Sequence, residues 1–203
     1  MKTATRDRIL NCTAKLATTP DNRKLTIRNV AEDAGVTTQA VYTLFGGKEG
    51  LIAALFEECW NTLTHRLRDV PESSHPLETL CSLGRCYIQF AKENPEFYTL
   101  MIGRATGSVT VPDRELRHAA PWSSITINVV NKAIADGILS GSPDEIGRLL
   151  WSTAHGYIDL TIHGYLRSDD ERFLQQATLA LFSTFAGPRY SSEMLISEEW
   201  FGS

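Results

Sequence analysis

The sequence predicts an all-α protein of about nine helices, with a small N-terminal three-helix domain followed by a larger helical domain. Apolar residues recur at three- and four-residue spacing along most of the chain, which is the period of a helix. The 203 residues are enough for two domains, and 42% hydrophobic with 22% charged residues is typical of a globular protein. The stretch 25–51, LTIRNVAEDAGVTTQAVYTLFGGKEGL, reads as helix, tight turn and second helix.

The first helix of that pair has a start, an apolar face and an end in its sequence. Thr26 is a good N-cap, because its hydroxyl oxygen can accept from a backbone N–H at the start of a helix. Apolar residues then form one stripe: Ile27, Val30, Ala31 and Ala34. Gly35 follows where a left-handed residue lets the chain reverse.

The second helix is predicted to be short and two-faced, with Thr37 as its N-cap. Three residues are expected to face inward: Ala40, Val41 and Leu44. Four polar residues are expected to face outward: Thr38, Gln39, Tyr42 and Thr43. Such a face suits contacts to base edges and phosphates in a DNA major groove. The alternative is an ordinary helical hairpin with a solvated outer face, but the joint spacing of the small, turn and apolar residues favours DNA binding.

The pattern along the rest of the chain predicts further helices, with a loop at 103–111, a kink at Pro121 and a polar tail from Gly187. Their expected ranges, with that of the first helix, are 5–18, 48–70, 77–92, 95–102, 113–137, 144–166 and 169–185. The expected domains are 1–50 and 51–203, linked by the long helix from Lys48.

Charge is divided unevenly between these domains, although the whole chain carries −4. Residues 1–50 hold eight Lys or Arg and five Asp or Glu, a net +3, whereas the remainder holds twelve and nineteen, a net −7. Because binding phosphate requires local rather than overall positive charge, the acidic total does not exclude a DNA-binding N-terminal domain.

Compartment signals are few. No apolar run approaches the roughly 20 residues that span a bilayer, and the charged N-terminus lacks a secretory hydrophobic region, which favours the cytoplasm. The four cysteines have no zinc spacing and are interpreted as reduced core thiols. A redox role for Cys81 and Cys86 is a less favoured alternative.

The residues of the N-terminal stretch resemble the signature of the tetracycline-repressor (TetR) family of bacterial transcription regulators. The matching residues are Ala31, Gly35, Val36, Thr37, Val41, Tyr42, Leu44, Phe45, Lys48, Glu49 and Leu51. Leu44 departs from the pattern, since the family commonly has a phosphate-contacting histidine there. The segments 94–103 and 151–160 resemble a subgroup with a Trp…His-Gly motif, here Trp151, His155 and Gly156.

The resemblance implies a dimeric DNA-binding regulator, expected to be a repressor that a small molecule releases from a palindromic operator. Base contacts are expected from four residues: Arg28, Thr38, Gln39 and Ala40. Phosphate contacts are expected from five others: Thr26, Thr37, Tyr42, Thr43 and Lys48. The last two helices, at 144–166 and 169–186, are apolar on more than one face and are expected to form the homodimer.

A small apolar or aromatic ligand is the expected effector, bound in the second domain without a cofactor. The candidate lining is aromatic and apolar with one imidazole: Phe97, Met101, Trp122, Ile125, Trp151 and His155. For each of these residues singly, an ordinary place in the core is an equal alternative.

Other functions are weaker readings of the same residues. An activator or a regulator without a ligand remains possible within the class, as does a helical protein whose DNA-binding head has lost function. His155, Asp159 and His163 share one helix face and could form a metal-dependent catalytic site. That set lacks the acidic partners of a di-iron bundle and the Glu of a zinc-protease motif, so no enzyme activity is expected.

Overall fold

The computed structural model describes residues 2–19, 24–102, 120–167 and 171–191, and these form nine helices and no strand. The predicted all-α fold is therefore confirmed. The helices are α1 (Lys2–Thr18), α2 (Ile27–Asp33), α3 (Thr38–Phe45), α4 (Lys48–Arg68), α5 (Pro76–Glu93), α6 (Pro95–Met101), α7 (Ala120–Ala135), α8 (Pro143–Ile162) and α9 (Glu171–Thr184).

The described residues pack as two units. The first holds residues of 1–63 and 93–119, and the second holds residues of 64–92 and 120–203. The helix α4 belongs to both, because the boundary at residue 63 falls within it. The sequence did not predict that α6 packs with the N-terminal helices, where it contacts α1. The division of functions near residue 50 stays a prediction.

In the first unit, α2 and α3 begin and end as their sequence predicts. The Thr26 hydroxyl oxygen accepts from the Asn29 amide at 3.1 Å, and the Thr37 hydroxyl oxygen accepts from the Ala40 amide at 3.2 Å. Gly35 has a φ of 61°, which allows the tight turn between the two helices. The amide of Gly46 closes α3 by donating to the Tyr42 carbonyl at 2.8 Å.

The inward orientation predicted for Leu44 is wrong, because 39% of this residue is exposed. Val41 is the buried residue of α3, and Phe45 is half-buried. At 100° per residue, a side chain four positions after Val41 lies about 40° from it, whereas one three positions after it lies about 60° away on the other side. Phe45 thus takes the inward place that the sequence pattern assigned to Leu44.

In the second unit, α5, α7, α8 and α9 enclose one apolar core. Its buried members are Leu77, Leu80, Cys81, Val130, Ala133, Ile138, Leu139, Ile146 and Phe182. The start of the polar tail packs back on this unit. The Gly187 amide donates to the Ile138 carbonyl at 2.9 Å, and the Arg189 amide donates to the Gly137 carbonyl at 2.9 Å.

The described helix ends differ from the predicted ones mainly in α8. This helix stops at Ile162 rather than residue 166, because Gly164 adopts a φ of 75° and the Tyr165 amide turns back to the Leu160 carbonyl at 2.9 Å. The predicted loop 103–111, the start of the predicted helix 113–137 and the tail beyond residue 191 lie outside the described residues.

Gly50 carries a testable packing constraint at the α3–α4 turn. A Cβ atom at this position would fall against the backbone carbonyl oxygen of Phe45, which cannot move without shifting α3. We expect Gly50→Ala to lower the free energy of unfolding by about 2 kcal/mol, as overpacking does. Urea denaturation of the purified protein measures this change.

Gly84→Ala is the matched control, because a Cβ atom there meets nothing within 4 Å on α5. This helical substitution should leave stability unchanged or raise it by about 0.5–1 kcal/mol. Equal effects of the two substitutions would contradict the packing assigned to the α3–α4 turn.

Candidate DNA-binding surface and ligand cavity

The residues predicted to contact DNA occupy the start of α2, all of α3 and the start of α4, and nearly all are exposed. Ala40 is half-buried. The exposed residues are Thr26, Arg28, Thr37, Thr38, Gln39, Tyr42, Thr43 and Lys48. The outward orientation predicted for the polar residues of α3 is thereby confirmed. The ring of Tyr42 lies close to Gly47, so that a Cβ atom on that glycine would be 3.8 Å from the ring.

The threonines of this surface differ in whether the hydroxyl proton is free to form a further hydrogen bond. Thr26 and Thr37 accept backbone N–H groups as helix caps, which uses an oxygen lone pair and leaves the hydroxyl proton available to donate. Thr43 instead donates its hydroxyl proton to the Gln39 carbonyl at 2.8 Å. The two capping threonines are therefore better prepared than Thr43 to donate to a phosphate oxygen.

In the second unit, a cavity of about 70 Å³ opens between residues of α4, α5, α7, α8 and α9. Most of its lining is apolar, with Leu67, Leu80, Leu83, Ile88, Leu150, Ala154 and Leu174 among its walls. Its polar lining residues are Arg85, Tyr87, Thr126 and Thr178. An apolar cavity with a few polar groups is the usual form of a small-molecule site.

The buried Tyr87 forms a polar cluster with two of the predicted ligand-binding residues, the half-buried His155 and the exposed Trp151. Its hydroxyl lies 3.4 Å from His155 Nδ1, and the His155 and Trp151 ring centroids are 5.2 Å apart. Burial raises the pKa of Tyr87 to about 12, an effect that a hydrogen bond from Trp151 partly offsets. The indole N–H donates to the phenol oxygen, and the tautomer of His155 decides whether the phenol or the imidazole donates in the second contact.

The other predicted ligand-binding residues lie elsewhere. Ile125 lines a second cavity of about 290 Å³, which also contains Glu72 and Lys132. Phe97 and Met101 are buried on α6 in the first unit. Trp122 belongs to α7, but its side chain lies outside the described part of the chain. The structure thus brings His155 together with Trp151, which lines the first cavity, and the ligand-binding role of all six residues stays a prediction.

Sequence reasoning missed Arg85 and Tyr87 as cavity residues. Tyr87 falls at an apolar position in the helical period of 77–92, but a phenol buried there requires a hydrogen-bond partner. Arg85 lies in the run LCSLGRCYIQF, where a lone cation among apolar residues signals a buried or cavity-facing charge. Both signals are visible in the sequence.

The face formed by His155, Asp159 and His163 does not gain support as a metal site. His163 Nδ1 lies 2.8 Å from the Asp159 carbonyl oxygen, which a backbone capping contact explains. Among residues 2–19, 24–102, 120–167 and 171–191, no group of three or more His, Cys, Asp or Glu side chains could hold a metal ion.

The cysteines are all thiols, and two of them are deeply buried. Burial raises the pKa of Cys81 to about 12 and that of Cys59 further still. A redox sensor requires a low-pKa, accessible thiolate, so the alternative that paired Cys81 with Cys86 is not favoured. No helix within the described residues is long and apolar enough to cross a membrane.

A capped, exposed recognition helix on a small helical unit is the architecture of helix-turn-helix DNA-binding proteins. Comparison with family models agrees with this class. Residues 9–55 match the model of bacterial regulatory proteins of the tetR family, and residues 80–181 match that of the tetracyclin repressor-like C-terminal domain. The chain belongs to the TetR family of transcription regulators. A search among curated proteins gave no match.

Solved structures share the fold over nearly the whole chain. A protein of unknown function from Rhodococcus sp. RHA1 is 23% identical, with a TM-score of 0.74, covering 90% of this chain and 95% of its own. A TetR family transcription regulator from Marinobacter aquaeolei VT8 is 16% identical, with a TM-score of 0.74 and coverage of 90% and 96%. The fatty acid degradation regulator FadR from Bacillus halodurans is 13% identical, with a TM-score of 0.74 and coverage of 87% and 97%.

The raised pKa of Tyr87 predicts a loss of stability at high pH. Between pH 10, where the unfolded phenol ionises, and about 12, where the folded one does, only the unfolded state loses this proton. The contribution is therefore complete below pH 10, and the free energy of unfolding should fall by about 1.4 kcal/mol per pH unit across this window. Tyr87→Phe should remove that part of the slope in urea denaturation series.

Tyr42→Phe is the matched control, because this tyrosine is 52% exposed. This variant makes the same chemical change outside the cavity that Tyr87 lines. A Tyr87→Phe protein with an unchanged slope would show that Tyr87 does not titrate late in the folded state.

Proposed function

We propose that the protein is a dimeric repressor that binds a palindromic operator through α3 of each copy and is released by a small-molecule ligand. The observation that supports this proposal best is which side chains of α3 are buried and which are exposed. Val41 is its buried residue, whereas its polar side chains are all exposed. A helix that places its polar face in solvent beside a tight turn is suited to enter a major groove.

Within that surface, base reading is assigned to Arg28, Thr38, Gln39 and Ala40. The Gln39 amide has the geometry to pair with adenine, the Arg28 guanidinium with guanine, and the Ala40 methyl group with a thymine methyl. Both long side chains are exposed and can reach beyond the helix surface. Specificity would therefore depend on few residues.

Phosphate binding is assigned to Thr26, Thr37, Tyr42, Thr43 and Lys48. Lys48 is the first residue of α4, where an exposed ammonium group and the free amides of a helix N-terminus favour an anion together. Leu44 offers no donor, so each copy has one phosphate-binding side chain fewer than the family pattern supplies. Affinity would then depend more on Lys48.

The dimer is assigned to α8 and α9. Large apolar side chains are exposed along α8, just after it and on α9: Leu149, Trp151, Leu160, Ile162, Tyr165 and Phe173. TetR-family regulators act as dimers, and a two-fold axis relating α8 and α9 to their mates would bury this surface as a four-helix bundle. These exposed apolar side chains would otherwise face water.

Release from DNA is assigned to a ligand that binds in the second unit. The protein itself is assigned to the subgroup with the Trp…His-Gly motif. The apolar cavity beside Trp151 and His155 supports this assignment. Because α4 belongs to both units, a ligand that prefers one position of its C-terminal end would alter the spacing of the two recognition helices. Changing the ratio of the DNA-releasing to the DNA-binding conformation from 1:99 to 99:1 requires a ligand whose binding free energies for the two differ by about 5.5 kcal/mol. The expected location is the cytoplasm, where the DNA lies.

Gln39 and Lys48 should fail in different ways when replaced by alanine. Gln39→Ala should reduce discrimination between the operator and single-base variants by about 1–3 kcal/mol at one position. Lys48→Ala should weaken binding to all duplexes alike and lower the salt slope by about 1.8 for two copies. Fluorescence anisotropy with an operator duplex and its variants measures both.

Asn131→Ala is the control for these two substitutions, because Asn131 is an exposed amide on α7 that has no part in the assigned DNA contacts. Its effect on both readouts should be small. If Gln39→Ala and Lys48→Ala gave the same profile across duplexes, the division between base and phosphate contacts would be wrong.

Leu160→Glu should disrupt the proposed dimer. This residue is 38% exposed on α8, and a carboxylate there would be desolvated against the partner's apolar surface. We expect the midpoint of the monomer–dimer equilibrium to rise by about tenfold or more in analytical ultracentrifugation, because burying an unpaired charge costs several kcal/mol. Asn131→Glu on α7 is the control, being exposed and polar already. A dimer equally stable in both variants would exclude this interface.

A further inference from the structure

Arg85 lines the 70 Å³ cavity of the second unit and has no counter-ion among the described residues. Arg85 Nη2 donates to the Ser82 hydroxyl at 2.9 Å, but Nη1 is buried and has no hydrogen-bond partner among the described residues. Leucine, isoleucine and alanine make up half of the residues that line the cavity. A buried guanidinium N–H without an acceptor is unusual, because burial of charge is costly unless the charge is paired.

The other polar residues that line the cavity are Tyr87, Thr126 and Thr178, and none of them accepts a hydrogen bond from Arg85 Nη1. Tyr87 is already engaged with Trp151 and His155. Glu78, an acidic residue on the same helix, accepts a hydrogen bond from the Ser73 hydroxyl. Within the described part of the chain, Arg85 forms no salt bridge. The missing acceptor is therefore one that a ligand can supply.

We propose that the cavity binds an apolar monocarboxylate, whose carboxylate accepts from Arg85 and whose hydrocarbon part contacts the leucine-lined walls. This inference rests on the proposed function, since it names the ligand class of the same site. A carboxylate matches the fork of a guanidinium group, and hydrogen bonds between charged partners are about twice as strong as neutral ones. A neutral ligand would leave the charge of Arg85 uncompensated.

The size of the cavity limits the ligand. A cavity of about 70 Å³ is smaller than the roughly 150 Å³ apolar cavity that accommodates benzene, so a long chain must extend through the open mouth or widen the site. A planar three-atom carboxylate also fits more easily beside Arg85 than a tetrahedral phosphate. We therefore expect short or medium alkyl chains to bind before bulky ring systems do.

The test compares matched probes on the purified full-length protein by isothermal titration calorimetry. The probes are straight-chain carboxylates of four, six and eight carbons, the primary alcohols of equal length and the corresponding alkyl phosphates. We expect the best carboxylate to bind at least about tenfold more tightly than its alcohol, the factor that a hydrogen bond to a charged group supplies. The phosphate should bind more weakly than the carboxylate.

Three arginine variants connect that preference to Arg85. Arg85→Gln should bring the carboxylate and its alcohol to equal affinity, while Arg85→Lys keeps the charge and should retain most of the preference. Arg148→Gln is the matched control, because Arg148 is exposed on α8. It should behave as the unmodified protein does. Thermal unfolding of each variant establishes that it is folded before titration.

The proposal is overturned if alcohols and carboxylates bind equally to the unmodified protein, if Arg85→Gln keeps the preference, or if none of the probes binds. A phosphate that binds more tightly than the carboxylate would also overturn the carboxylate assignment. Operator binding is measured separately by anisotropy without any probe. Normal operator binding with no carboxylate preference would refute only this inference, whereas a protein that binds carboxylates but no duplex would refute the proposed function.

Discussion

The anchoring of α3 is the constraint on which the DNA-binding surface depends. This eight-residue helix buries Val41 completely, so its position is held by a small apolar contact and by its two ends. The Thr37 hydroxyl fixes the first turn and the left-handed Gly46 fixes the last. Because little of α3 is committed to the core, most of its side chains remain available to a ligand as large as DNA. The adjoining Gly50 lets α4 begin close against the end of α3.

The second unit is subject to a different constraint, because the polar groups in its apolar cavity require hydrogen-bond partners. Tyr87 is stabilised there because Trp151 and His155 satisfy both sides of its hydroxyl group. Arg85 has no such arrangement, and its buried Nη1 leaves the site incomplete as it stands. A satisfied cluster beside an unsatisfied cation is a reasonable basis for ligand selectivity, since the first shapes the cavity and the second selects charge.

Local signals in the sequence predicted the fold, the ends of α2 and α3 and the exposed polar face of α3 well, because capping threonines and turn glycines act within a few residues. Thr26, Thr37 and Gly35 all have their predicted roles. The inward orientation predicted for Leu44 was wrong, because the apolar pattern of a two-turn helix fits either of the neighbouring residues Leu44 and Phe45 as the one that faces the core. The cavity could be predicted only in part: Trp151 and His155 share a helix face, whereas the approach of Tyr87 depends on how α5 packs against α8. Such contacts between distant segments have no spacing signal in one sequence.

Selection of bound duplexes from a random pool, followed by a salt titration on the selected sequence, tests the central claim most directly. A dimer that presents two copies of α3 predicts a palindrome whose half-sites are separated by about one helical turn, bound with a steep salt dependence. A single enriched half-site without symmetry would contradict the two-fold arrangement. No enrichment over the starting pool, with the protein folded and dimeric, would contradict the claim that α3 reads DNA.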